Sequence, residues 1–373
     1  MKVAFYASLK PPDHPTPSGD RLMARLLIQA LQTAGCEVRL ASDLRTYTAQ
    51  ADHETLVRLK TASRDEAERL VAAWSSPDTT WTPEVWFTYH PYYKAPDWIG
   101  PQVSARLHIP YLTAEASYAG KRDAGPWRPW QRDVVSAVRA ASANFCMTAV
   151  DRAGLERLQP LAGPLIDLPP FIDPPPLDAP RRQCAVPRIA TVAMMRSGSK
   201  LESYRLLAEA LVGLRDVPWR LAVMGDGPAR ADVLAAFATL PADRIDWLGQ
   251  VDADTVAAEL AACDLYVWPG IQEAYGLAYL EAQAMGLPVV AFDSGGVSAV
   301  VEHGTGGWLT PAGDVKAFAD AVRRMLVEHA TRIDMGDAAS RFVRERRSVA
   351  SAAAILHNTI SGLRTSPART NFQ

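Results

Sequence analysis

Cysteine is scarce in this 373-residue chain: there are four, Cys36, Cys146, Cys184 and Cys263, each isolated from the others. No two have the spacing of a zinc site or a disulfide framework, so a reducing, cytoplasmic setting is expected and a metal- or disulfide-stapled scaffold is not. Long apolar runs are also missing. No stretch approaches the length of a membrane span, and the apolar run in the opening MKVAFYASLK is too short for a signal peptide. An integral membrane segment is therefore not expected, while peripheral membrane contact stays open. Net charge is only −2 and no block of like charge stands out, so nucleic acid is not an expected partner. There is no short-period repeat. There is no G-x-G-x-x-G turn either, which leaves a dinucleotide oxidoreductase unsupported. What is present is an ordinary globular composition, 48% hydrophobic and 21% charged, on a chain long enough for two domains.

The most informative stretch is 264–286, DLYVWPGIQEAYGLAYLEAQAMG. Leu265, Tyr266, Val267 and Trp268 read as a buried parallel strand that Pro269 and Gly270 end. Leu277, Leu280 and Ala284 recur at helical spacing, and Gly286 and Pro288 stop the helix. The loop between them offers the N–H groups of Tyr275, Gly276 and Leu277 at a helix amino end, where an anion is favoured. Two carboxylates frame it, Glu273 at the mouth and Glu281 one turn into the helix. Carboxylates accept from hydroxyls and backbone N–H groups donate to phosphate, so the set suits a nucleotide sugar. An acidic pair on a solvated helix end is the plain alternative.

These residues carry a resemblance. E-x7-E at Glu273 and Glu281, then EAQAMGLPVVAFDSGG and VVEHGTGGWLTPAGD, resemble the carboxyl-terminal half of family-4 glycosyltransferases, with Ala274, Tyr275 and Gln283 in place of the usual Gly, Phe and Met. The resemblance implies an α/β chain of two Rossmann-like domains facing across a cleft, the GT-B fold, with a C-terminal helix returning to the first domain. The expected divisions are an acceptor-side domain at 1–170, a proline-rich linker at 171–187, a donor-side domain at 188–345 and a terminal helix at 346–365. The implied reaction is retaining transfer of a sugar from a nucleotide-diphosphate sugar, a UDP-sugar favoured, to a hydroxyl-bearing acceptor, with no cofactor and no metal. Arg196 and Lys200 match an Arg and a Lys that the family places in the loop after the first strand of its second domain. Cations there stabilise the charge that develops as a diphosphate leaves; a solvated basic pair is the plain reading. The resemblance implies that Glu281 meets ribose, Glu273 the donor sugar, and backbone near Gly249 and Val251 the base.

The amino-terminal half opens strand–helix–strand, as a doubly wound sheet does. Gly19, in Ser18-Gly19-Asp20 at the helix start, lets a phosphate approach; a simple N-cap by Ser18 or Asp20 also accounts for the triplet. His90 and Glu115 follow strands at 85–89 and 111–114, where such sheets bind ligands. A satisfied loop histidine is the alternative for His90, and Glu115 stands near where many family members carry His. Residues 118–130, YAGKRDAGPWRPW, read as a rigid loop whose aromatics suit a sugar and whose Lys121, Arg122 and Arg128 suit an anionic acceptor, or as a loop packed on itself. Residues 49–75 read as an exposed helix, and 134–141 as another. Asp252-Ala253-Asp254 spells a D-x-D metal motif but reads better as a helix N-cap. Two further readings share the fold: a nucleotide-sugar epimerase, which the Arg-Lys and E-x7-E set argues against, and a non-catalytic sugar-nucleotide-binding protein.

Overall fold

The structure, a computed structural model, describes residues 1–16, 18–176 and 186–365. The chain forms two compact units, Met1–Pro169 together with the residues from Val349 onward, and Pro170–Ser348. About half of the linker expected at 171–187, Cys184 included, and residues 366–373 lie outside the described residues.

In the first unit the strands are β1 (Lys2–Ala7), β2 (Glu37–Leu40), β3 (Val85–Tyr89), β4 (Tyr111–Ala114), β5 (Ala143–Cys146) and β6 (Leu165–Asp167). The helices between them are α1 (Gly19–Thr33), α2 (His53–Ser75), α3 (Gly100–Leu107), α4 (Arg128–Ala140) and α5 (Ala149–Glu156). All six strands run parallel in the order β2-β1-β3-β4-β5-β6. Central strands covered on both faces need apolar side chains throughout, and β3 (VWFTY) is buried at every position. Phe87 sits between Phe5 and Phe145, with ring centroids 5.8 Å apart on each side. The order reverses between β1 and β3, so the crevice of this sheet lies at the loops following those strands.

Several expectations are corrected here. α2 is not an exposed helix: Leu56, Leu59, Ser63, Ala67, Leu70 and Val71 form a buried stripe, which small and polar members obscure in the sequence. α4 starts at Arg128, so the last residues of the expected loop are its first turn. Pro129 fits there because an N–H is unneeded, and Trp130 buries against Trp98 at 5.3 Å. α5 was not anticipated. Thr148 and Asp151 build its capping box, a signal present in the sequence.

The second unit contains β7 (Arg188–Val192), β8 (Arg220–Met224), β9 (Ile245–Gly249), β10 (Leu265–Val267), β11 (Val289–Asp293) and β12 (Gly307–Pro311). Its helices are α6 (Ser199–Val212), α7 (Arg230–Ala236), α8 (Ala253–Ala261), α9 (Leu277–Ala284), α10 (Val315–Val327) and α11 (His329–Arg346). The strands are parallel in the order β12-β11-β10-β7-β8-β9. Counted from β7 this is the doubly wound nucleotide-binding order, whose reversal falls between β7 and β10. The loops after β7 and β10 are thus neighbours at the carboxyl edge. α7 and α11 were not anticipated; α11 buries Arg332, Gly336 and Ser340 among its apolar residues, so no clean stripe shows. Because α11 runs to Arg346, the helix expected at 346–365 begins instead at Val349. That helix, α12 (Val349–Thr365), belongs to the first unit and packs along α1, where the His357 ring meets the Ala34 carbonyl oxygen at 3.1 Å.

Candidate active site

In the first unit, strain marks the carboxyl edge. His90 and Glu115, which directly follow β3 and β4, have φ of 55° and 56°, a region that side chains other than Gly rarely occupy. His90 Nδ1 lies 3.1 Å from Asp20 Oδ1 in the first turn of α1, and 3.9 Å from Glu115 Oε1. Burial opposes a charge on His90, but Glu115 and the Asp20 bond outweigh it and raise the imidazole to about 9. Burial lifts Glu115 to about 7 against the pull of His90. Burial also works against the Asp20 charge, yet the hydrogen bond and charge of His90 hold its carboxyl below the usual range. His90 is therefore an imidazolium shared by acids, beyond the loop histidine weighed above. Gly19 is the first residue of α1, with open space where a Cβ would stand, and Ser18 caps the helix by accepting from the Arg21 N–H at 3.3 Å. Lys121 and Arg122 lie on a 3-10 turn after β4; Lys121 is exposed, and the Arg122 guanidinium covers the Tyr93 ring at 4.7 Å.

In the second unit, Glu273 stands on the loop after β10. Its carboxylate accepts from Lys200 Nζ at 2.5 Å and from Trp268 Nε1 at 3.4 Å. The Lys200 ammonium also sits 5.5 Å from the Trp268 ring centroid. The loop is held from behind. Ile271 N–H donates to Ser203 Oγ at 3.0 Å, Gln272 N–H to Ser294 Oγ at 3.2 Å, and Gly296 N–H to the Glu273 carbonyl at 3.1 Å. Gly295, at φ +62°, lies so close that a Cβ would fall on the Glu273 carbonyl oxygen.

Lys200 is not in a loop, as expected, but in the first turn of α6, which starts at Ser199. A helix fixes its direction better than a loop does. Arg196 precedes it in the loop after β7; its side chain is exposed and has no hydrogen bond or ion pair among the described residues. That loop is braced by Met195 N–H donating to the Asp226 carbonyl and Ala229 N–H to the Met195 carbonyl, both at 2.9 Å.

Glu281 is one turn into α9. Burial alone raises its pKa, and its carboxylate accepts no side-chain or backbone hydrogen bond among the described residues. An acid so placed is short of donors that a ligand hydroxyl can supply. Gly276 caps α9 at φ +78°, while the Tyr275 and Leu277 side chains are buried, so these positions offer backbone to the loop. Gly249 ends β9 and its carbonyl accepts from Gly225 N–H at 2.7 Å; Val251 follows, partly buried. Asp252 caps α8 by accepting from Thr255 N–H at 2.8 Å, which accounts for the first acid of D-x-D.

Residues 186–328, which hold Arg196, Lys200, Glu273 and Glu281, match the family described as glycosyl transferases group 1. A D-inositol 3-phosphate glycosyltransferase of Pseudarthrobacter chlorophenolicus is 36% identical over 149 residues, 38% of this chain and 35% of its own. The chain spans about half or less of the length of the curated relatives it matches, 35% and 34% in two of them. Among solved structures, sucrose-phosphate synthase from Thermosynechococcus elongatus aligns with a TM-score of 0.71 at 18% identity, over 98% of this chain and 100% of that one. The Anabaena protein HepE, solved in complex with UDP-glucose, aligns with a TM-score of 0.67 at 16% identity, over 97% and 100%. At such identities these two likenesses describe the fold, the two-Rossmann GT-B class.

Three contributors to the second unit's site carry no signal in the sequence: Trp268, which donates to Glu273, and Ser203 and Ser294, which hold the Glu273 loop. In the sequence Trp268 shows only as the end of a strand. In the first unit Asp20 was weighed as a helix cap and is instead the partner of His90. None has a local pattern, because each acts across 5 to 70 residues of sequence.

Proposed function

We propose that the protein transfers a sugar from a nucleotide-diphosphate sugar to a hydroxyl-bearing acceptor, with retention at the anomeric carbon and without a metal. The observation that carries this reading is the Lys200–Glu273 pair at the switch point of the second sheet, with Arg196 on the loop after β7 and Glu281 on α9, whose side chains have no hydrogen-bond or ion-pair partner among the described residues. Two cations, a helix amino end and a donor-starved acid are the parts that a diphosphate between two hydroxyl-rich groups requires. Glu281 takes the ribose hydroxyls. Arg196 and Lys200 take the diphosphate, and Glu273 orients the donor sugar while holding Lys200 in place.

In the transfer, the bond between the anomeric carbon and the phosphate oxygen breaks and its electron pair leaves with the diphosphate. The acceptor oxygen bonds to the same face, and its proton passes to a phosphate oxygen. Positioning and the two cations supply the rate. A UDP-sugar is the favoured donor. Thermal shift with uridine, guanosine and adenosine diphosphate sugars identifies it, since a ligand of the native state raises the melting temperature with concentration. With that donor, Lys200→Ala and Glu273→Ala each lower kcat at least about a hundredfold while remaining folded. Full activity in either variant ends the proposal.

A further inference from the structure

Resting on that reading, we infer that the acceptor carries a fixed negative charge, a carboxylate or phosphate on a hydroxylated ring or chain, and that the first unit's aromatic–cation patch receives it. The patch stands beside the strained edge: the His90 ring is 5.0 Å from Tyr92, and Tyr92 is 5.4 Å from Tyr93. Tyr93 meets Trp127 edge to face at 5.0 Å, forming a floor from the loop after β3 and the start of α4. Lys94 Nζ lies 5.9 Å from both of these rings, and Arg122 covers Tyr93 at 4.7 Å. Lys121 and Arg128 are exposed nearby in sequence and on the same segment.

None of these four cations has an ion pair among the described residues, although the chain as a whole has slightly more acids than bases, 41 against 39. The one acid between residues 118 and 130, Asp123, is engaged by the Tyr118 hydroxyl. Among the described residues Arg122 Nε is buried without a hydrogen-bond partner, and its Nη2 reaches only the Tyr93 hydroxyl, at 3.3 Å. Ring faces hold Lys94 and Arg122 in place without neutralising them, and Lys121 and Arg128 add positive charge on the same segment. Like charges gathered around an aromatic floor repel one another until an anion arrives. A polyol ring stacks on such a floor, and a charged substituent reaches the guanidinium. A cationic acceptor is repelled by the same groups.

The test is calorimetry on the full chain, without donor, using myo-inositol phosphate, malate, myo-inositol and 2-deoxystreptamine. The two anions are expected to bind about tenfold or more tightly than myo-inositol, the amine not at all, and added salt to erode the difference. Arg122→Gln and Lys121→Ala abolish the preference but leave the thermal shift by the nucleotide sugar unchanged, which shows that the variants are folded. Vesicles of phosphatidylcholine with and without phosphatidylinositol separate the sources. Binding to the soluble phosphate alone assigns a free acceptor; binding only to the anionic vesicles assigns a lipid headgroup. Equal binding of neutral and anionic probes, tighter binding of the amine, or a preference that survives both substitutions overturns the inference. A preference seen in a chain that no nucleotide sugar stabilises instead removes the transferase reading and leaves the anion site standing.

Discussion

Replacing Gly295 with Ala tests whether the Glu273 loop is a positioned device or an incidental turn. The added methyl falls on the Glu273 carbonyl oxygen and 3.1 Å from its carbon, and φ at Gly295 is +62°. A left-handed backbone costs an L-residue roughly 1–2 kcal/mol. Relieving the overlap adds about 1–3 kcal/mol, and the backbone that gives way is the one bearing Glu273. Some 2–5 kcal/mol in a unit of this size lowers the melting temperature by about 5–15 °C. A shift of about 1 Å in a positioning group costs on the order of a hundredfold in rate, so kcat/KM for transfer falls by about that factor in the folded variant. Gly304→Ala is the control: its φ is similar, +78°, but a Cβ there meets nothing within 4 Å. It loses about 1–2 kcal/mol of stability and no activity. The assay is thermal unfolding together with steady-state transfer for both variants. Unchanged kcat/KM in Gly295→Ala, or equal losses in both, refutes the argument that this contact places Glu273.

Glu281→Gln separates stability from function. Burial raises the Glu281 pKa, so its native-state stability is full at low pH and declines as pH rises through the raised value. The variant therefore melts higher than wild type at neutral pH, with the gap closing under acid, while donor affinity measured by calorimetry falls about tenfold. His90 also titrates upward, from 6.5 to about 9, so its stabilising link to Glu115 and Asp20 is full below 6.5 and lost as pH rises through 9. Denaturant titrations across that window should show wild type losing its advantage over His90→Asn; parallel curves would contradict the pairing. Asp252→Ala removes the α8 cap and costs about 1 kcal/mol in unfolding experiments, with transfer unchanged. A collapse of activity in that variant would restore the metal reading of D-x-D.

Local grammar determined much of this protein by itself. Apolar runs bounded by Gly or Pro located β3 and β10, and apolar spacing located α9, because those signals depend on neighbours within a turn or a pleat. The chain's own residues also nominated Glu273 and Glu281, since strand–loop–helix units expose the same edge wherever they occur, while the family resemblance nominated Arg196 and Lys200. Helices whose buried faces mix Ser, Gly or Arg with apolar residues, as α2 and α11 do, escaped the pattern, because packing accepts any side chain that fits and finds its hydrogen bonds. Only the tertiary structure decided which strands are neighbours, and with that which loops meet. It brings Lys200 to Glu273 across 73 residues and Asp20 to His90 across 70, and it returns α12 to the unit that contains α1. The physical reason is that sheet order follows from covering both faces of each strand. That is a property of the whole folded unit, and no window of sequence contains it.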